Sequence, residues 1–101
     1  MSRSLARDIA AYDAMVDALP SYTEDEEVAA VLVWRETLQE GLDRGESITE
    51  ESLALLDRSD VVLRRLLLSL SRRFPEVFAL DPSPPERLWW WHPESAATSA
   101  A

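Results

Sequence analysis

Apolar residues recur at helical spacing through most of this chain. In residues 3–19, Leu5, Ile9, Tyr12, Val16 and Leu19 are separated by alternating steps of four and three. That spacing places them on one narrow stripe, with Met15 beside it. Asp8, Asp13 and Asp17 fall outside the stripe, and Pro20, which has no amide hydrogen to donate, ends the helix. A second helix is predicted from Thr23-Glu24-Asp25-Glu26, where the threonine hydroxyl and the Glu26 carboxylate have capping-box spacing. Val28, Val31, Leu32, Leu38 and Leu42 mark its buried face. Ala30, Val33 and Trp34 widen that face enough to imply contacts on two sides. Gly41 and Gly45, the only glycines, bracket its end near Arg44.

A third helix is predicted after Ser47-Ile48-Thr49-Glu50, with Ser47 or Thr49 as the cap. Leu53, Leu56, Leu63, Leu67, Leu70 and Phe74 form a heptad-like seam whose missing member is Asp60, and Leu55, Val62 and Leu66 broaden it. The seam keeps phase across Asp57-Arg58-Ser59-Asp60, which favours one unbroken helix from about residue 50 to 73 over a break there. Arg58, Arg65 and Arg72 repeat on the opposite face. Pro75 opens one further turn at most, and Asp81-Pro82-Ser83-Pro84-Pro85 is an extended connector. The expected fold is therefore all-α. It is a small three- to four-helix bundle, residues 1–94, closed by an extended proline- and tryptophan-rich arm and followed by a flexible tail over 95–101.

Three consecutive tryptophans, Trp89, Trp90 and Trp91, stand in that arm, followed by His92. Successive side chains point about 100° apart on an α-helix and alternate across a strand, so neither geometry turns all three indoles into one core. The arm is accordingly the expected contact surface, with Trp34 as its companion on the second helix. Tryptophan is enriched at binding hot spots. Prolines ahead of it lower the entropy cost of ordering an arm. The alternative is that the arm folds back over the open side of its own bundle.

Charge and composition exclude several chemistries. The chain has 101 residues, ten arginines and no lysine, no cysteine and one histidine. Zinc–thiolate sites, disulfides and multi-histidine metal sites are thereby ruled out within one chain. No glycine-rich loop exists to cradle a cofactor phosphate, so no cofactor is expected. His92 lacks a cysteine or serine partner at motif spacing and is poor material for general-base catalysis. Residues 1–51 carry thirteen acids against four arginines, and residues 52–101 six against six, so the whole net charge of −9 lies in the first half. Direct nucleic-acid binding is disfavoured without a basic stripe. No apolar run is long enough to span a bilayer, and no signal-peptide pattern opens the chain; the expectation is a cytoplasmic protein. The arginine and alanine bias points to a GC-rich, bacterial coding sequence.

Arg35 and Asp60 each interrupt an apolar arc, and antiparallel packing of the second and third helices would bring them together as a buried polar pair. Glu24 with Glu27, and Asp57 with Asp60, are acid pairs spaced three apart. They resemble the ExxE and ExxD pairs with which all-α nucleoside-triphosphate pyrophosphatases of the MazG type bind magnesium. The resemblance covers four residues, its second pair reads DxxD, and no lysine is present to meet phosphates. It implies a magnesium-dependent phosphohydrolase. Another alternative is an acidic regulator whose first half imitates nucleic acid at a basic protein site. The leading expectation is a non-enzymatic interaction or assembly protein, bound to a protein partner or to itself as a homodimer. It rests on apolar arcs broader than one short partner helix covers.

Overall fold

Helix α1 (Leu5–Ala18) runs into a 3-10 turn at Leu19–Ser21, and α2 (Asp25–Asp43), α3 (Glu50–Arg73), the single turn α4 (Pro75–Phe78) and α5 (Pro93–Ser99) follow. These come from a computed structural model that describes residues 5–99. The molecule is an all-α bundle, with no strand among the described residues. None of its described helices is long and apolar enough to cross a membrane.

Helix boundaries follow the chemistry of their ends. The cap of α2 lies one residue later than the sequence predicts. Glu24 is the N-cap, and Glu27 Oε1 accepts from the amides of Thr23 and Glu24 at 3.2 and 3.1 Å. Glu27 thus satisfies the Thr23 amide that Glu26 was expected to reach, and that of Glu24 besides. At the other end Gly45 takes φ of +80°, a conformation costly for any residue with a Cβ. It donates to the Leu42 carbonyl while Glu46 donates to that of Gly41, closing the last turn in a Schellman motif. Thr49 caps α3, its hydroxyl oxygen accepting from the Ser52 amide at 3.1 Å. Thr49→Ala is expected to cost about 1 kcal/mol. The check is a lowered denaturant midpoint with an unchanged slope.

Helix α3 is continuous through Asp57–Asp60, because Asp60 and Ser59 find polar partners in the core and the apolar seam need not break. Helix α1 packs against both α2 and α3, which make little backbone contact with each other. A cleft between α2 and α3 is the result. Into it fold α4, the 3-10 turn Trp89–Trp91 and, along α3, helix α5. The core holds the α1 stripe, Val28, Val31, Leu32 and Leu38 of α2, and Leu56, Leu63, Leu67 and Leu70 of α3. Trp90, Trp91 and Ala96 complete it from the C-terminal segment.

Residues 95–99, expected as part of the tail, belong to α5. The His92 carbonyl accepts from the Ala96 amide, and the small side chain of Ala96 is buried. Residues 100–101 lie outside the described part.

Candidate functional site

Two places concentrate chemistry. The first is the polar cluster where α1, α2 and α3 meet. The Arg35 guanidinium donates from Nε to Asp60 Oδ1 at 2.9 Å and from Nη2 to Oδ2 at 3.0 Å, a two-pronged ion pair. Its Nη1 donates to Gln39 Oε1. The Tyr12 hydroxyl donates to Asp60 Oδ1 at 2.6 Å. Nearby, the Ser59 hydroxyl lies 2.8 Å from Asp13 Oδ1. Burial, then the Asp60 charge and its hydrogen bond, raise the Tyr12 phenol far above its ordinary range. The predicted pairing of Arg35 and Asp60 is thus present, with Tyr12 as a third member. Nothing in the apolar pattern set Tyr12 apart, because its ring occupies an ordinary stripe position and only its hydroxyl is polar.

The tryptophans are arranged around this cluster. A 3-10 turn has three residues per turn, so successive side chains point about 120° apart. Seated in the cleft between α2 and α3, all three directions meet protein. Trp89 lies beneath Arg64 of α3, whose Cζ is 4.1 Å from its ring centroid. Trp90 lies beneath Arg35 of α2 at 4.7 Å, a cation–π distance, and meets Trp89 edge to face. Trp91 donates from Nε1 to Glu36 Oε1 at 2.8 Å, again on α2. Trp90 is 1 % exposed, Trp91 is buried and Trp89 is half-buried.

The arm closes the bundle of its own chain, which was the alternative to a contact surface. The angular argument assumed one flat core, and a cleft with two walls removes its premise. Trp34, half-buried, donates from Nε1 to the Asp8 carbonyl and ties α2 to α1. His92 Nε2 faces the Pro84 and Pro85 carbonyls at 2.8 and 3.2 Å, so that nitrogen carries a proton and donates. It pins the connector to the tryptophan turn.

The acid pairs do not assemble. Glu27 is used at the start of α2 and Asp60 by Arg35 and Tyr12. Among the described residues no three histidine, cysteine or acidic side chains converge as a metal site.

The second place escaped the sequence reading. The first half of α2 and the α4 turn form the walls of an open groove of about 440 Å³. Val33, Ala29, Val77, Leu80 and Trp91 line it, with Asp25, Glu26 and Glu76 at its rim. Val33 is 53 % exposed and Leu80 42 %. Among the described residues none of the three rim carboxylates has an ion-pair partner. Val33 had a signal in the sequence, as one of the positions that make the α2 arc too wide for one neighbour. Leu80 had none, because its place depends on how Pro75 turns the chain.

No family model, curated protein or solved structure matches this chain, so what its groove and buried cluster do is read from the residues themselves.

Proposed function

We propose that this is a non-enzymatic interaction protein that binds a protein surface through its helices. The observation that supports this most is the groove between α2 and α4, where exposed Val33 and Leu80 flank an apolar floor with Asp25, Glu26 and Glu76 at its rim. It is too open to bury most of a small ligand, as a metabolite pocket does. Its acidic rim disfavours anionic lipid surfaces and nucleic acid. With no strand among the described residues there is no sheet edge to extend, which leaves packing of apolar side chains as the mode of binding. The polar cluster, by contrast, is fully occupied by its own members.

A photocrosslinking side chain at position 80, introduced in the native host, is expected to give discrete protein adducts that Val33→Glu abolishes. The same side chain at exposed Ala10 is expected to give none. Val33→Glu changes a solvated position, so folding should shift by no more than about 0.5 kcal/mol. Equal adducts from position 10, or adducts indifferent to Val33→Glu, would remove the reading.

A further inference from the structure

Beyond Arg64 and Arg73, which are held by Trp89 and by the Tyr22 carbonyl, α3 has arginines with nothing to do. Arg58, Arg65 and Arg72 are exposed, and among the described residues none has an ion-pair partner. Between Arg58 and Arg65 stand Val61 and Val62, which are 46 % and 42 % exposed. From Val61 to Arg73 the helix contains no acid at all. Asp57 is the last exposed carboxylate before this stretch, and Asp60 is turned inward onto Arg35. The outward side of α3 is therefore a convex ridge, apolar along its flanks and basic along its crest.

That ridge is the complement of the groove. One is concave, apolar and rimmed by three unpaired carboxylates; the other is convex, apolar and carries three unpaired guanidinium groups. Both lie on the same chain. We propose that the groove of one copy receives the outward face of α3 of a second copy, with Val61 and Val62 against Val33 and Leu80. Arg58, Arg65 and Arg72 then reach toward Asp25, Glu26 and Glu76. This rests on the interaction reading above and names the partner as the chain itself.

The two patches are different, so the contact is head to tail. Copies join into a closed ring, the smallest being a pair that forms both contacts, or into a chain. Opposed charges at the rim set register and encounter rate, while the apolar residues supply the buried area. The localisation of charge matters here. A net charge of −9 spread evenly would repel a second copy, but the second half of the chain is neutral overall and presents a basic ridge.

The test uses two charge-reversed variants of the full chain, Glu26→Arg with Glu76→Arg, and Arg58→Glu with Arg65→Glu. Wild-type protein at micromolar concentration is expected to sediment above monomer mass, and to associate more slowly in about 1 M salt, where screening acts within about 3 Å. Each variant alone should associate at least roughly tenfold more weakly, since like charges then face one another. Mixed in equal amounts, the two should recover a species above monomer mass. The first retains an intact ridge and the second an intact groove. Circular dichroism serves as the check that both remain helical.

A wild-type protein that is monomeric at every concentration overturns the proposal. So does association that survives the reversals, or a mixture that stays monomeric. A monomeric protein that still gives Val33-dependent adducts with a different protein would overturn self-docking alone and leave the interaction reading standing.

Discussion

Asp60→Leu is expected to destabilise the protein by about 3–5 kcal/mol, and Arg35→Met by a similar amount, because each leaves a charge buried without its partner. Arg35 is the more exacting case. Its side chain is 5 % exposed, its fork is filled by Asp60, and its face is covered by Trp90. With Asp60 gone, Gln39 and the neutral Tyr12 hydroxyl are the polar side chains that the described residues leave to the guanidinium. The double variant should be far less damaged than the two losses added together, since apolar side chains of similar size cost little in place of a buried pair. Additive losses in urea denaturation would show that the pair contributes nothing as a pair.

Tyr12 gives the same cluster a pH signature. Its phenol pKa is raised by burial first and by Asp60 second, so the folded chain keeps a proton that the unfolded chain releases near pH 10. Stability contributed by this group is complete below pH 10 and falls as pH rises beyond it, because the unfolded state then binds fewer protons. In Asp60→Leu the alkaline fall should persist, since burial, its largest cause, remains.

The cluster and the groove differ in how far the sequence disclosed them, and the difference is physical. Arg35 and Asp60 were legible because a charge that interrupts an apolar period must be compensated, and helix phase alone brings the two arcs face to face. The continuity of α3 followed from the same phase. The packing of the tryptophans was hidden for an equally definite reason. Their spacing forbids a shared direction, and it took the separation of α2 from α3 to give each indole a different wall. That separation is a tertiary property, set by α1 packing against both helices. The helical course of residues 95–99 was hidden too, because small residues carry no amphipathic signal until a neighbouring helix buries one of them. Groove residues fared worst. Glu76, Val77 and Leu80 acquire their role only once Pro75 has turned the chain back across α2.

Trp90→Ala is expected to cost about 3–5 kcal/mol, the range for removing a large buried aromatic side chain. The ring is 1 % exposed, packs edge to face with Trp89 and supports Arg35. Its loss therefore leaves a cavity between α2 and α3 and strips one face from a buried cation. Against a typical total of about 5–15 kcal/mol for a domain, such a loss is a third or more of the stability in most of that range. Trp90→Ala is accordingly a poor probe of binding, since loss of a partner cannot be told apart from loss of the fold. Trp90→Phe should behave differently. Among the described residues Nε1 of Trp90 is buried with no hydrogen-bond acceptor, and an unmet buried donor costs about 1–3 kcal/mol. Phenylalanine removes that donor while keeping an aromatic face under Arg35, so the penalty for lost volume is partly offset. A net cost below about 2 kcal/mol is expected. Thermal and urea denaturation of both variants decide the matter. If alanine costs under about 1 kcal/mol, the tryptophan turn is not part of the core. If phenylalanine costs as much as alanine, the indole nitrogen is satisfied in solution, and the offset argued from its isolation is absent.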